Sequence, residues 1–208
     1  YGCVAIANST ITVNPRPVVS FASLAPVCAN GAVVTLNQGA PAGGTYSGAG
    51  VDGNSFIPEF AGVGSHTLTY TYNDPSTGCV NTATQSIYVR DVPIADAGND
   101  QTVYYGYSPM ACATLSGSAT GGSGSNTYAW STGGSTISNN ATYQVCPTVT
   151  TTYTLTVTDG FGCTTSDQVT INVVDVHCGN KNDKVTMCHD GKEICISANA
   201  VTALATTY

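Results

Sequence analysis

Two seven-residue runs of strict alternation constrain this chain more than any other feature. "HTLTYTY" sets His66, Leu68, Tyr70 and Tyr72 against Thr67, Thr69 and Thr71, and "TYTLTVT" sets Tyr153, Leu155 and Val157 against Thr152, Thr154, Thr156 and Thr158. A period of two gives one apolar and one polar face only on a strand; wound into a helix, the same residues would scatter round the axis. Stretches rich in glycine, proline and small polar residues recur at short intervals, as in "QGAPAGG", "SGAGVDGN", "DPSTG" and "TGGSGSN". Short alternating strands between such turns predict an all-β chain of β-sandwiches. Only "SANAVTALA" near the end has the composition of a helical turn or two.

A closing phrase repeats along the chain. In "TGCVNTATQSIYV" Cys79 is followed by Ile87 and Val89, and in "FGCTTSDQVTINV" Cys163 is followed by Ile171 and Val173. The chain opens on the same phrase, "YGCVAIANSTITV", in which Cys3 is followed by Ile11 and Val13. The repeat divides the chain into residues 1–16, 17–91, 92–175 and 176–208. The two central segments are expected to be complete sandwiches, and the last a small cysteine-rich block. The first is an orphan closing strand. It is expected either to end a preceding domain or to serve as a donor strand, with Ile11 and Val13 completing a neighbouring subunit by β-addition. "NPRPVV" and "RDVPIA" carry proline at the joins and read as stiff connectors.

Charge narrows the partners. Lys, Arg, Asp and Glu make up 8% of the chain, against about a quarter in an average soluble domain. With five basic residues and a net charge of −7, the chain lacks the cations that neutralise phosphates or attract anionic lipid surfaces. No apolar run approaches the roughly 20 residues of a membrane-spanning helix. Nucleic acid and membrane insertion are therefore excluded as expectations. Nine cysteines in such a chain indicate an oxidising, extracellular setting. Cys28 and Cys79 lie 51 positions apart, as do Cys112 and Cys163. These equal spans make the two pairs the preferred disulfides, with Cys112–Cys146 as the rival to the second. Cys178, Cys188 and Cys195 are expected to knit the tail block by disulfides. A metal site there, with His189, is disfavoured because Cys188 and His189 are adjacent and diverge on a strand. Cys3 is left for an intersubunit or upstream-domain disulfide.

"VPIADAGNDQTV", Trp130 in "TYAWS" and "TTTYTLTVTDGFGC" resemble the PKD-type immunoglobulin-like repeat. "PVCANGAVVTLNQGAPAGGTYSGAGVDGNSFIPEFAGVGSHTLTYTYNDPSTGC" is similar to the Ig-like repeat of large secreted surface proteins of the Bacteroidota. "DVHCGNKNDKVTMCHDGKEICISANAV" resembles a cysteine-bearing block that often follows such repeats. The resemblance implies tandem Ig-like sandwiches that act as spacers, adhesins or stalks, exported by the type IX system and displayed at the cell surface or in a secreted filament. Some PKD-type repeats bind calcium, which makes Asp96, Asn99 and Asp100 candidate ligands. The alternative for "ADAGNDQ" is an Asx turn. Asn8 and Asn140 stand in "NST" and "NAT", the pattern of N-glycosylation.

Catalysis finds no foothold, because a nucleophile needs a base within reach and the three histidines stand in unrelated contexts. No catalytic residue, metal or cofactor is expected. Residues 17–180 contain no lysine, so an intramolecular isopeptide bond cannot reinforce either sandwich. The expected function is a disulfide-reinforced structural or adhesive segment whose partners are copies of itself or further repeats. The alternative is a carbohydrate-binding accessory module, for which Tyr104, Tyr105 and Tyr107 would supply the platform for surface glycans.

Overall fold

The computed structural model describes the backbone of residues 9–205 and the side chains of residues 9–201. It divides into two compact units, one ending at Arg90 and the other beginning at Asp91. Both are immunoglobulin-like β-sandwiches, as expected from the alternation.

In the first unit, β1 (Ser20–Phe21) pairs antiparallel with β4 (Gly39–Ala40), and β3 (Val34–Thr35) pairs antiparallel with β7 (Ser55–Phe56). On its other side β7 is flanked by β6 (Val51–Asp52). The facing sheet runs in the order β2 (Val27–Cys28), β9 (Val80–Arg90), β8 (Gly64–Asn73) and β5 (Thr45–Ser47), with β2 parallel to β9. The helix α1 (Pro58–Ala61) starts on a proline, where the missing N–H leaves no bond unmade. Leu68 and Tyr70 of the first alternating run are buried and pack with Phe21, Leu36, Phe56, Ile87 and Val89. The threonines between them face the other way, so the pattern sorts the strand's two faces.

In the second unit, β10 (Pro93–Asp96) pairs with β13 (Ser118–Gly121), and β12 (Ala113–Ser116) pairs with β16 (Thr142–Val145). The facing sheet has five strands in the order β11 (Gln101–Tyr105), β18 (Thr164–Asp175), β17 (Thr151–Thr158), β14 (Thr127–Thr132) and β15 (Ser135–Ser138), with β11 parallel to β18. Trp130, fully buried on β14, centres a core that includes Leu115, Leu155, Val157 and Ile171. Its Nε1 donates to the Ala141 carbonyl at 3.2 Å, which satisfies the one polar atom the ring carries inward.

After β18 the chain forms a small meander of β19 (His177–Cys178), β20 (Lys184–His189) and β21 (Lys192–Ile196), then the helix α2 (Ala198–Ala205). This block belongs to the second compact unit. The Val176 N–H donates to the Tyr105 carbonyl, and the Thr186 N–H to the Val176 carbonyl, so its backbone is stitched to β11. At the other end, residues 11–19 form no regular element, and the first strand among the described residues begins at Ser20. Both sandwiches carry their own closing strand, β9 and β18, flanked on either side.

Candidate interaction sites

The disulfide framework differs from the preferred pairing. Cys112 is bonded to Cys146, the rival of the sequence reading, and not to Cys163. The ladder explains why. Ala113 faces Val145 across β12 and β16, so Cys112 and Cys146 occupy the next facing positions, with Cα atoms 4.1 Å apart. Cys163 stands at the opposite end of β18 from Asp175, the residue paired with Tyr105 just upstream of Cys112.

The same geometry rules out Cys28–Cys79. Cys28 pairs with Arg90 at one end of β9, whereas Cys79 precedes the other end, about 35 Å away along an extended strand. Cys28 and Cys163 are both disulfide-bonded. Among the described residues Cys79 and Cys188 carry free thiols, half-buried and exposed respectively, so the expectation that both were bonded is corrected. In the tail, Cys178 is bonded to Cys195. Cys178 faces Lys184, and Cys195 faces Thr186, so this bond joins the outer strands across β20. Cys188 lies opposite Glu193, two positions along the ladder from the Thr186–Cys195 pair, and takes no part in it. Cys3 lies outside the described residues.

The donor-strand residues are conspicuous in their exposure: Ile11 and Val13 are 85% and 88% exposed. Just beyond them the arm lies along the start of β9. The Asn81 side chain donates to the Pro17 carbonyl at 2.9 Å, and the Cys79 thiol approaches the Asn14 carbonyl at 3.9 Å.

The three tyrosines of "VYYGY" are divided between two environments. Tyr104 and Tyr107 line an apolar cleft of about 250 Å³ with Met110, Val176, Val185 and Met187, where the tail block meets β11. Tyr105 instead meets the His177 ring edge-on, with centroids 4.7 Å apart. The His177 ring also lies over Gly106, where a Cβ would come within 2.9 Å of it. His177 Nδ1 is 2.6 Å from Asp175 Oδ1, a base–orienter geometry, but the ring's other neighbours are packing surfaces. His66 Nε2 lies 2.8 Å from the Gly62 carbonyl, and His189 Nε2 lies 3.6 Å from Asp190. Three different local roles therefore account for the three imidazoles.

At the candidate calcium turn, Asp96 Oδ1 accepts the Gly98 N–H at 2.9 Å and Asp96 Oδ2 accepts the Ser118 hydroxyl at 3.3 Å. Asp100 Oδ1 accepts the Thr170 N–H at 2.7 Å, and Asn99 is exposed. The first of these bonds is an Asx turn. Among the described residues no group of three or more His, Cys, Asp or Glu comes together to hold a metal ion.

Sequence reasoning missed Asp159, which is buried. Its Oδ1 accepts the N–H groups of Phe161 and Cys163, and its Oδ2 accepts that of Ser123, each at 2.9 Å. A buried carboxylate satisfied by three backbone donors organises the β17–β18 hairpin. Asp74 does related work between β8 and β9, where Oδ1 accepts the Ser76 N–H and hydroxyl and Oδ2 accepts the Thr77 hydroxyl. These bonds, the Ser76 hydroxyl foremost, hold its carboxyl below the usual carboxylate range. The signal was present, since an aspartate shortly precedes the cysteine in both "NDPSTGC" and "TDGFGC".

No helix among the described residues is long and apolar enough to cross a membrane. The disulfides fit an oxidising, extracellular setting. No protein-family model matches the sequence, and no curated protein matches it. Solved structures similar to it include extracellular domains 3–5 of Drosophila OTK, at 16% identity and a TM-score of 0.35. That match covers 75% of this chain and 62% of the other, so the chain spans less than two thirds of that structure's length. The fibronectin(III)-like modules of Clostridium thermocellum CbhA are similar at 12% identity and a TM-score of 0.37, covering 78% of this chain and 97% of the other. An I-band fragment of titin is similar at 12% identity and a TM-score of 0.35, covering 74% of this chain and 63% of the other. It is the strand order within each unit that identifies the two sandwiches.

Proposed function

We propose that this chain is a structural or adhesive segment of an extracellular bacterial surface protein, a disulfide-reinforced spacer that works in a stalk or filament. The observation that carries this reading is the Cys112–Cys146 bond clipping adjacent strands of one sheet. A cross-strand clip holds neighbouring strands together when they are pulled or transiently opened. The second sandwich is of PKD type, and the protein is exported by the type IX route of the Bacteroidota; the sequence resemblance supports both statements. Assembly proceeds by strand addition through residues 1–13, with Ile11 and Val13 as the apolar anchors, supported by their alternation and exposure. Calcium at Asp96, Asn99 and Asp100 is not required by this reading. Resistance to proteolysis with and without reductant tests it. Intact protein should survive a broad-specificity protease, and reduction should expose the β12–β16 region to early cleavage. Equal survival in both conditions would overturn the reinforcing role.

One observation favours a second reading, a glycan-binding module: Tyr104 and Tyr107 both line an open cleft. Retention on insoluble polysaccharide that falls for Tyr107→Ala would support it and count against a purely structural role.

A further inference from the structure

The two sandwiches differ in where the strand before β7 or β16 pairs: β6 joins β7 in the first, whereas β15 joins β14 of the facing sheet in the second. In the first, β7 pairs with β3 on one side and is covered by β6 on the other. In the second, β16 holds the corresponding place beside β12, and among the described residues no strand covers its outer edge. β15, the last strand of the facing sheet, also pairs on one side only. The flank between these two edges is therefore unroofed.

A groove of about 280 Å³ runs along this flank, lined among others by Thr132, Ile137, Tyr143, Val145, Pro147 and Tyr153. Tyr143 shows that the groove opens into the interior. It faces the fully buried Leu115 across the ladder and shares the inward side of β16 with Val145, yet it is 38% exposed while Val145 is 7%. An inward-facing tyrosine is thus left 38% exposed beside a strand edge that no strand covers among the described residues. A bare edge with apolar side chains behind it is a template for another strand.

We infer that this groove receives residues 9–13 of a second copy of the chain, which add to the edge of β16 and lay Ile11 and Val13 against Ile137, Tyr143 and Tyr153. The inference rests on the strand-addition reading above and names its acceptor. Ile11 and Val13 are spaced for one face of a strand and are almost fully exposed, although no strand includes them. The arm from Ser9 to Val13 carries no charge, and neither do the residues lining the groove, so docking buries no unpaired ion. Both closing-strand positions are already filled by β9 and β18, so the arm cannot enter a copy of this chain at that place. Arm and groove are different surfaces, which makes the contact heterologous, and repetition builds open chains unless the geometry closes a ring.

The test uses the full chain and two variants: an arm variant, Ile11→Asp with Val13→Asp, and a groove variant, Tyr143→Lys. Sedimentation velocity across a wide concentration range should show the unaltered chain forming a ladder of oligomers. Each variant alone should associate at least about tenfold more weakly, and an equimolar mixture of the two should stop at a dimer, because only one productive contact remains. Hydrogen exchange on the unaltered chain should slow at residues 142–145 as concentration rises while residues 45–47 of β5 stay unchanged. Circular dichroism checks that each variant is folded, and the exchange measurement decides the case without relying on Tyr143→Lys. Association that is lost in the arm variant but leaves 142–145 unprotected would overturn this acceptor and leave strand addition standing. A chain that stays monomeric throughout, or associates equally well with the arm variant, would overturn both.

Discussion

Tyr70 donates its hydroxyl proton to the Pro41 carbonyl and accepts the Gly44 N–H at 2.7 Å, while its ring packs with Tyr46 at 4.7 Å between centroids. The "QGAPAGG" loop closes over this ring, and a Cβ at Gly39 would fall 2.5 Å from it. Gly39→Ala is therefore expected to cost about 1–3 kcal/mol, since neither the buried ring nor the backbone can retreat freely; thermal melting followed by circular dichroism measures it. The two free thiols among the described residues should differ in reactivity, because Cys188 is exposed and Cys79 only half so. Alkylation of the native protein followed by peptide mass analysis should label Cys188 first, and the reverse order would contradict the described exposures. At Asp175 the His177 N–H donates at 3.0 Å and the His177 ring lies at 2.6 Å, and these contacts, in that order, hold the carboxyl below its ordinary range. A lowered folded-state value means that the stabilisation is complete above the unfolded pKa and is lost as pH falls through the folded one. Asp175→Asn should flatten the acid limb of the second unit's stability below about pH 4; an unchanged limb would mean that solvent screens the pair into irrelevance.

Among the elements, β12 and β16 form a sheet of only two strands, and such a pair has little stability of its own. The Cys112–Cys146 bond crosses it and closes a loop of 34 residues. Replacing both cysteines by serine is expected to lower the stability of the second unit by about 2–4 kcal/mol, most of it loop-closure entropy restored to the unfolded chain. Denaturant unfolding of the double variant measures this, and a loss well below 1 kcal/mol would mean that packing alone holds the strands. The tail meander has Val185 as its one residue in the buried core and is too small to bury a core of its own. Its order comes from the Cys178–Cys195 bond and from the backbone bonds that tie it to Tyr105 through Val176.

At the scale of the whole molecule, the single tryptophan makes the two units separately observable. Trp130 is fully buried in the second core, so its fluorescence reports that unit, while far-ultraviolet circular dichroism reports both. Gly39→Ala should shift the circular dichroism transition more than the fluorescence transition; equal shifts would mean that the units unfold as one. Each sandwich brings its own core and closing strand, which is what the proposed spacer role requires of a repeated unit.

Period-two alternation and turn composition by themselves determined the all-β class, because a strand presents its two faces to every residue in turn and "HTLTYTY" and "TYTLTVT" fit no other regular backbone. The repeated closing phrase likewise marked β9 and β18, since each begins just after its hairpin cysteine. The equal cysteine spans were legible too, but they meant something else. They record that the two sandwiches are built alike, with the paired positions near opposite ends of each, which no spacing reveals. Tertiary structure alone decided the bonds: Cys112 meets Cys146 because the β12–β16 register sets them face to face, and Cys178 meets Cys195 because two strands flank a third. The open flank beside Tyr143 was decided in the same way, since a side chain's place along its strand is local information and the presence of a neighbouring strand is not.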